Sequence, residues 1–386
     1  MAHEERGDLI VGLDIGTTKI CVVVGEVHDT RIDIIGIGRH PSVGLRRGVV
    51  VNIESTVHSI RQAVEEAERM AGCEIGSVYV GIAGSHIKSF NSHGLIAIKH
   101  NEIRQDDQEF MVDGQADIQD PIGMTGVRLE ADVHIVTGSA TAVHNIVKCC
   151  NRAGLQVTDV VLEPLASAGA VLTREEMELG VGLLDIGGGT ADLAIFADGT
   201  IKHTFVLGLG GQNLTNDLSI GLRTPQKEAE RLKEEYGSAL ASLIDKDQVI
   251  EVPSVGGRKN RKLSRRVMGE ILEPRVEEML TLINQELLDS KHKEMINAGM
   301  VLTGGSCLLD NMEELAEQIF DLPVRIGRPE NIGGVVDVVG TPQWATGVGL
   351  VVYGMKNGPG ERFKRPKGGV VGRFTGRMKD WFKGIV

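Results

Sequence analysis

Short apolar runs rich in β-branched residues and glycine alternate with amphipathic segments along most of the chain. Residues 9–27, 31–40 and 77–84 have the strand pattern, with glycines as punctuation. Residues 53–72 place apolar side chains at helical spacing and end at Gly72, which predicts a helix with a glycine stop. This alternation is typical of α/β proteins. Further helices are predicted at 225–237 and 269–291.

From Ser85 to about Val161 the pattern changes. Short strands, polar turns and one predicted helix within 139–154 replace the earlier alternation. A break of this kind within a regular chain is typical of a subdomain inserted into a larger domain. The sequence therefore predicts an α+β insertion in this range.

The segment 183–211 loosely repeats the pattern of residues 12–40. Each segment consists of an apolar strand, the triplet Asp-Ile-Gly, small or hydroxyl residues, a second strand, a turn and a third strand. Internal repetition of this kind predicts two related halves that face each other.

Each Asp-Ile-Gly triplet lies at a predicted hairpin turn. A turn of glycine and threonine presents several backbone N–H groups at one place, which makes a cradle for phosphate. An aspartate before the turn can hold a hydrated Mg²⁺ that neutralises the phosphate. One such motif is equally well explained as a tight hairpin, but two copies favour a clamp around one polyphosphate. The candidate residues are Asp14, Gly16, Thr17, Thr18 and Lys19 in the first copy and Asp185, Gly187, Gly188, Gly189 and Thr190 in the second, with Asp14 and Asp185 as metal ligands through water.

A third glycine turn lies within residues 301–315. Gly304 and Gly305, followed by Ser306, come between an apolar strand and a helix predicted to begin near Leu308. The glycines would let the backbone approach a flat ligand, and the helix N-terminus would favour an anion. Adenosine and the α-phosphate of a nucleotide could bind there, although an ordinary strand-to-helix connection has the same pattern.

Composition and charge limit the class of protein. A chain of 386 residues exceeds what one hydrophobic core usually supports, so two or more domains are expected. The net charge of −12 argues against nucleic-acid binding. The five cysteines are scattered without CxxC spacing, so neither a disulfide framework nor a zinc site is predicted, and a reducing cytoplasm fits best. The polar N-terminus and the lack of a long apolar run predict a chain that is neither secreted nor membrane-spanning.

Residues 356–386 differ from the rest of the chain in charge, with nine Lys or Arg residues against two acids. Residues 356–367 are rich in Gly, Pro and Lys, which predicts a linker. Residues 368–386 have the pattern of a cationic amphipathic helix. Such a helix suits the headgroup region of an anionic membrane, and the alternative is packing against the folded body. The apolar arc comprises Val370, Val371, Phe374, Met378, Trp381, Phe382 and Ile385.

Three of these motifs resemble those of a known superfamily. LDIGTTK (13–19), LLDIGGGTADLAIF (183–196) and MVLTGGS (300–306) are similar, in order and spacing, to the phosphate 1, phosphate 2 and adenosine motifs of actin, Hsp70 and sugar kinases. EPLASAGAVL (163–172) and WATGVGLVVYG (344–354) resemble its two connecting helices. Within the superfamily, SVYVGIAGSHIKSFNSHG, EVPSVGGRKNRKLSRR and VRIGRPENIGG are similar to the FtsA family of bacterial cell-division proteins, which bind ATP and tether the tubulin-like protein FtsZ to the inner membrane.

The resemblance implies an actin-like α/β fold of two related halves around a nucleotide cleft, with an inserted α+β subdomain, 1C. The insertion is expected to be short, because the helix and strand that the family usually has between residues 107 and 108 are missing. The implied divisions are domain 1A at 1–84, 163–193 and 340–355, subdomain 1C at 85–162, domain 2A at 194–222 and 300–339, domain 2B at 223–299, a linker at 356–367 and the amphipathic helix at 368–386.

The resemblance also implies roles for residues outside the glycine turns. Glu163 matches the position that orients attacking water in related filament proteins, although the helix dipole alone would favour a carboxylate there. Glu230 and Lys233 match positions that contact ribose or adenine in actin relatives, and the alternative is an exposed charged helix face. The implied cofactors are ATP and Mg²⁺, and any ATPase activity is expected to be weak.

The partners of the family complete the functional expectation. Domain 2B binds the C-terminal tail of FtsZ in the family, and its basic loop at 254–266 would suit an acidic peptide. Filament formation and contact with later division proteins through 1C are also implied, at the division site on the cytoplasmic face of the inner membrane. A pilus-assembly actin relative and a small-molecule kinase of the same superfamily are the alternatives, and a lipid-seeking tail fits neither.

Overall fold

The computed structural model describes residues 8–28, 31–97, 110–118 and 124–357, so the predicted amphipathic helix and most of the predicted linker lie outside the described residues. The strands are β1 Asp8–Ile15, β2 Lys19–His28, β3 Arg31–Pro41, β4 Leu45–Arg46, β5 Val49–Val50, β6 Ser77–Ile82, β7 Lys88–Ala97, β8 Phe110–Val112, β9 Gln115–Ile118, β10 Arg128–Thr137, β11 Gln156–Leu162, β12 Val181–Ile186, β13 Ala191–Ala197, β14 Thr200–Leu207, β15 Val249–Val252, β16 Arg261–Ser264, β17 Met300–Thr303, β18 Val324–Ile326 and β19 Ile332–Gly334. The α-helices are α1 Ile53–Ala71, α2 Ala140–Ala153, α3 Glu163–Val171, α4 Arg174–Leu179, α5 Gly211–Gly221, α6 Gln226–Tyr236, α7 Arg265–Asp289, α8 Met312–Phe320, α9 Val336–Val339 and α10 Ala345–Asn357.

Six strands form the sheet of the first lobe, in the order β11-β6-β1-β2-β3-β19. β1, β2 and β3 are antiparallel to one another, whereas β6, β11 and β19 pair in parallel. Alternate residues of β2 enter two different cores: Val22 and Val24 pack in the core with α1, and Cys21 and Val23 pack in a core between the lobes. A strand buried on both faces is apolar throughout, which explains the continuous hydrophobic run.

Helix α1 confirms the strongest helical prediction. Its N-cap is Asn52, whose side chain accepts a hydrogen bond from the backbone N–H of Ser55 at 3.0 Å. The helix ends at Gly72, which has a positive φ of 65°. Glycine adopts this left-handed conformation without strain, so the chain can leave the helix there.

Five strands form the sheet of the second lobe, in the order β14-β13-β12-β17-β18. β12 and β13 pair antiparallel with Asp185 opposite Asp192, just as β1 and β2 pair with Asp14 opposite Cys21. β17 lies parallel to β12 as β6 lies parallel to β1. The predicted α/β fold of two related halves is confirmed.

The predicted boundary between domains 1A and 2A is wrong. The prediction placed residues 163–193 in 1A, but β12 and β13 belong to the second sheet, which therefore starts at Val181. The prediction also placed β19 in 2A, whereas it pairs in parallel with β3. Because an Asp-Ile-Gly hairpin opens each sheet, the repeat itself marks where each lobe begins.

Strands β7 to β10 form the sheet of the insertion, in the order β7-β10-β8-β9. β7 and β10 pair antiparallel along their lengths, with Lys88 opposite Thr137. The remainder of the range predicted for 1C joins the first lobe: Ile146 and Cys149 of α2 pack in the core with α1, and β11 pairs with β6. The sheet of the insertion is therefore confined to residues between 88 and 137.

The insertion also contacts the second lobe along β14. The hydroxyl of Ser89 donates to the carbonyl oxygen of Thr204 at 2.9 Å, and the side-chain amide of Asn91 donates to the carbonyl oxygen of Lys202 at 3.1 Å. Since β14 is an edge strand of the second sheet, side chains of the insertion can reach its backbone. The insertion thus touches both lobes.

Helices α3 and α10 lie between the lobes and match the positions of the two predicted connecting helices. A methyl group added to Gly349 would lie 1.9 Å from the carbonyl oxygen of Ala166, so the two helix backbones are in direct contact. Val23 of the first sheet and Leu183 of the second share a buried core with Val348 of α10. The two lobes are therefore joined by a packed core as well as by the chain.

Two local predictions in the second lobe need correction. The loop predicted at 254–266 is only partly a loop, because Arg261–Ser264 form β16 and pair with β15. Helix α7 begins at Arg265, four residues before its predicted start, and continues through Pro274. Within the described ranges, no helix is long and apolar enough to cross a bilayer.

Candidate functional site

The two Asp-Ile-Gly hairpins face each other across a cleft between the lobes. The cleft measures about 570 Å³, including the part that opens to solvent. Every predicted residue of both hairpins lines it, together with Glu163, Gly304 and Gly305. It is also lined by residues for which no role was predicted: Ile15, Gly48, Ala83, Asp192, Pro342, Gln343 and Thr346.

The tips of the two hairpins are in contact. A methyl group added to Gly188 would lie 2.3 Å from the side chain of Thr18, and one added to Gly189 would lie 2.3 Å from the hydroxyl of Thr17. A methyl group on Gly187 would make only an ordinary contact, at 3.5 Å, with a backbone oxygen of the same turn. Two of the three glycines are therefore required by the opposing hairpin.

The backbone of the second turn is oriented by the start of α5. The carbonyl oxygens of Gly187 and Gly188 accept hydrogen bonds from the N–H groups of Gly211 and Gln212 at 2.9 and 2.8 Å. With its carbonyls engaged by the helix, the turn resembles the anion-binding nests that successive backbone N–H groups form. This geometry suits the predicted phosphate cradle.

Asp14 is the second-last residue of β1, and Asp185 is the second-last residue of β12. Both carboxylates are buried, with exposed fractions of 7% and 8%. Burial raises the pKa of Asp14 to about 6, against the attraction of Lys19 and with a smaller increase from Asp185. Burial also raises the pKa of Asp185, and the hydroxyls of Ser167 and Thr346 partly oppose that increase by donating to it. Both carboxylates are costly to bury as anions, so a bound cation would stabilise them.

Glu163 opens α3, as predicted, and its side chain runs along Gly81 of β6, where an added methyl group would lie 3.2 Å from Oε1. Part of the residue remains accessible, but desolvation of the carboxyl group still dominates and raises its pKa well above the ordinary range. The neighbouring carboxylates of Asp14, Asp192 and Asp185 raise that pKa further.

Asp192 is a cleft residue that was not predicted. It is 3% exposed, and its Oδ2 accepts a hydrogen bond from the hydroxyl of Thr190 at 2.8 Å. Burial raises its pKa to about 7, despite that bond and with a further increase from Asp185. A signal was available in the sequence, because Asp192 is a charged residue in β13, whose seven residues are all buried.

Lys19 joins the first hairpin to the segment that leads into α10. Its ammonium group donates to the carbonyl oxygen of Gln343 and lies 5.5 Å from the centre of the Trp344 ring. Pro342–Trp344 form a 3₁₀ turn before the helix. The predicted phosphate ligand is thus also in contact with a connecting element, which the sequence did not indicate.

The third glycine turn lies where it was predicted, but the helix after it does not. Residues Gly305–Leu308 form a 3₁₀ turn, and the α-helix begins only at Met312. The argument from an α-helix N-terminus near Leu308 is therefore wrong. Gly304 has a positive φ of 86°, and a methyl group on it would lie 2.4 Å from Asp185 Oδ1, so close backbone approach is the property that the turn provides.

Glu230 and Lys233 lie beside the cleft, on α6, and are not among its lining residues. Lys233 is only 8% exposed, so the alternative of an exposed charged face is wrong for this residue. Its ammonium group donates to Glu230, to the hydroxyl of Thr215 and to the carbonyl oxygen of Gly211. Ser306 completes this side of the site by donating to the carbonyl oxygen of Gly187 at 3.1 Å, next to the second hairpin.

The buried carboxylates suit a hydrated divalent cation. Oδ1 of Asp192 is buried without a hydrogen-bond partner in the described part of the chain, and Asp14 and Asp185 lie in the same cleft. Oxygen donors of this kind are those that Mg²⁺ prefers, usually with several of its waters retained. No group of three or more His, Cys, Asp or Glu side chains among the described residues is arranged to hold a metal directly.

A solved structure shares this fold. MreB5 of Spiroplasma citri bound to ADP aligns with a TM-score of 0.57 over 91% of this chain and 99% of that chain. At 17% sequence identity the likeness shows the actin-like fold alone.

Sequence comparison identifies the family. The family model for "Cell division protein FtsA" matches residues 11–172 and 182–349, a span that includes both hairpins and the third glycine turn. Cell division protein FtsA of Pseudomonas aeruginosa is 49% identical over 381 residues, covering 92% of this chain and 91% of the relative. Cell division protein FtsA of Neisseria meningitidis serogroup B is 43% identical over 415 residues, covering 98% of this chain and 99% of the relative. This chain therefore belongs to the FtsA family of bacterial cell-division proteins.

Proposed function

We propose that this protein binds ATP with Mg²⁺ in the interlobe cleft and serves as a scaffold that tethers FtsZ to the inner membrane at the division site. The observation that carries the proposal is the pair of glycine hairpins in contact across a cleft lined with buried carboxylates. Polyphosphate between two backbone cradles, with a hydrated cation on the carboxylates, would satisfy both features.

In this proposal the chain's own groups have distinct roles. The backbone and hydroxyls of residues 16–19 and 187–190 bind the phosphates, and Asp14 and Asp185 hold the hydration shell of the metal. Bound Mg²⁺ would neutralise phosphate charge. Gly304, Gly305 and Ser306, with Glu230 and Lys233 behind them, bind adenosine. MreB5 of Spiroplasma citri, which shares this fold, was solved bound to ADP, which supports a nucleotide in this fold.

Glu163 is the residue proposed to orient an attacking water. Its side chain lines the cleft together with both hairpins, which suits a group that orients water next to the bound phosphates. The scaffold role needs ATP to be bound, whereas hydrolysis can be slow. We therefore propose weak ATPase activity at most.

Membrane attachment is assigned to residues 368–386, on the pattern of their sequence. Burying seven apolar side chains at a bilayer interface contributes several kcal/mol at roughly 25 cal/mol per Å², offset by the cost of ordering the helix. Each nearby Lys or Arg adds up to about 1 kcal/mol on anionic lipid and little on neutral lipid. The protein is therefore expected to prefer anionic vesicles.

The FtsZ tail is assigned to domain 2B, beside the basic hairpin formed by β15 and β16. Arg258, Lys259 and Lys262 are exposed there, which suits an acidic peptide. Filament formation and contact of 1C with later division proteins complete the proposal. Family membership favours this scaffold over the pilus-assembly and kinase alternatives.

A vesicle flotation assay tests the proposal. Full-length protein should carry a fluorescent peptide that copies the FtsZ C-terminus to the top of the gradient with anionic vesicles, and much less with neutral ones. Deletion of residues 370–386, or Phe374→Glu with Trp381→Glu, should leave both protein and peptide at the bottom, because the apolar arc is lost. ATP binding by these variants should be unchanged.

The matched control places the same two charges on the other side of the helical wheel, as Gly372→Glu with Gly376→Glu. This variant should still float, because it loses only the electrostatic contribution to membrane affinity and keeps the apolar arc. A truncated chain that floats as well as the full chain would refute the anchor. If the protein floats at low salt but the peptide stays at the bottom of the gradient, the FtsZ assignment is refuted.

A further inference from the structure

Asp185 is held by two hydroxyls that come from different helices. Its Oδ2 accepts a hydrogen bond from Ser167 at 2.8 Å and from Thr346 at 3.2 Å, and the two hydroxyl oxygens are 3.1 Å apart. Ser167 is fully buried, and Thr346 and Asp185 are each 8% exposed. Buried hydrogen bonds to a charged group are among the stronger ones in proteins, because water does not compete for them.

The two hydroxyls meet because the helices that carry them touch. Ser167 lies on α3 and Thr346 on α10, and these helices approach backbone to backbone where Gly349 faces Ala166. With larger residues at this crossing the helix axes would lie further apart. The close crossing therefore lets one carboxylate oxygen receive both donors.

The second oxygen of Asp185, Oδ1, lies beside Gly304 of the third glycine turn. A methyl group added to Gly304, a cleft residue, would lie only 2.4 Å from Oδ1. Since Oδ2 is engaged by the two hydroxyls, rotation of the carboxylate would break those bonds. The hydroxyls therefore hold Oδ1 beside the glycine turn that lines the cleft.

We infer that Ser167 and Thr346 are positioning residues for the metal-nucleotide site, acting through Asp185. The inference rests on the proposed function, because it concerns how that site is held. It also gives the connecting helices a part in binding: a change in how α3 crosses α10 would move one donor relative to the other. Affinity for the metal-nucleotide complex would then depend on the crossing.

The test is a titration of the full-length protein with a fluorescent ATP analogue, once with Mg²⁺ and once with EDTA. Ser167→Ala and Thr346→Val should each weaken binding in Mg²⁺ by about tenfold, which corresponds to the loss of one hydrogen bond to a charged group. Binding in EDTA should change less than about twofold, because Asp185 would act through the metal. Thr346→Ser keeps the hydroxyl and should restore binding in Mg²⁺.

Ser59→Ala is the matched control, since Ser59 is a fully buried serine on α1, in the core of the first lobe. Thermal unfolding of the nucleotide-free proteins measures any loss of stability separately. The control should resemble the test variants in stability and the parent protein in Mg²⁺-dependent binding.

The possible results of the titration separate a failure of the proposed nucleotide binding from a failure of the positioning role. Failure of the parent protein to bind the analogue would refute the proposed function itself. If the parent binds and both variants bind equally well in Mg²⁺, the positioning role is refuted. Equal weakening with Mg²⁺ and with EDTA, or no rescue by Thr346→Ser, would also refute it, because either result indicates a general structural effect.

Discussion

At the scale of single residues, the contact between the two hairpins depends on glycines that have no room for a side chain. Gly188 lies against Thr18 and Gly189 against Thr17, while Gly187 has space beside it. The three glycines are adjacent and look equivalent in the sequence. The opposing lobe makes them different.

This difference predicts opposite outcomes for two neighbouring substitutions. Gly188→Ala should weaken ATP binding by about tenfold or more, because its methyl group forces the hairpins apart at a cost of about 1–3 kcal/mol. Gly187→Ala should change affinity less than about twofold. Both are measured by equilibrium dialysis with ATP and Mg²⁺. Equal effects of the two substitutions would contradict the contact between the hairpins.

At the scale of elements, the basic segment of domain 2B is a hairpin followed directly by a long helix. Pairing of β15 with β16 places Glu251 opposite Lys262, and α7 follows without a linker at Arg265. Lys262 is thus presented by a defined strand, and Lys259 lies in the loop just before that strand.

Charge reversal on this hairpin tests the peptide assignment. Lys259→Glu with Lys262→Glu should weaken binding of the FtsZ C-terminal peptide at low salt, with the difference from the parent shrinking as salt is added. Lys148→Glu with Lys227→Glu makes the same change of net charge at exposed positions on α2 and α6. Fluorescence anisotropy compares the two variants. A loss of equal size in both would indicate a non-specific charge effect and would count against this hairpin.

At the scale of the whole molecule, the insertion ties the first lobe to the second through a cluster of polar side chains. His134 of β10 is hydrogen-bonded to Asn91 at 2.6 Å and to Thr204 of β14 at 3.1 Å. Since the amide nitrogen of Asn91 donates to Lys202, its oxygen is left to accept from His134. In the neutral ring the other nitrogen accepts from the hydroxyl of Thr204, whereas a protonated ring would donate to that oxygen.

The pKa of His134 predicts how this contact responds to acid. Burial, with His203 and His292 nearby, lowers its pKa from 6.5 to about 4. A histidine whose pKa is lowered on folding stabilises the folded state fully above pH 6.5 and loses that contribution as the pH falls toward 4. The pKa of His292, which stacks on His203, is lowered in the same direction, and His203 is paired with Glu286 at 2.9 Å.

We therefore expect the melting temperature to fall between pH 7 and pH 5 more steeply in the parent than in a His134→Gln variant, which cannot be protonated there. His292 should preserve part of the slope in that variant. His144→Gln, at an exposed position on α2, is the control and should leave the slope unchanged. Differential scanning fluorimetry at several pH values makes the measurement. Identical slopes in the parent and His134→Gln would refute the role of this histidine.

Much of the architecture was accessible from local pattern. The repeat of the Asp-Ile-Gly hairpin, α1 with its terminal glycine and the apolar runs of β1, β2, β12 and β13 depend on the spacing of neighbouring residues, which a sequence displays directly. The five clamp residues predicted in each hairpin lie together because they belong to a single turn, whereas the meeting of the two turns at one cleft depends on how the two lobes pack.

What only the tertiary structure decided involves residues far apart in the chain. Asp192 became a cleft residue because β13 turns it inward, and Ser167 and Thr346 reached Asp185 because two helices cross at Gly349. The boundary at Val181 and the late start of α8 at Met312 likewise follow from pairing and packing with distant segments. Local spacing determines turns and periodic faces, but burial, and with it the pKa and the partner of a carboxylate, is set by whatever the rest of the chain places around it.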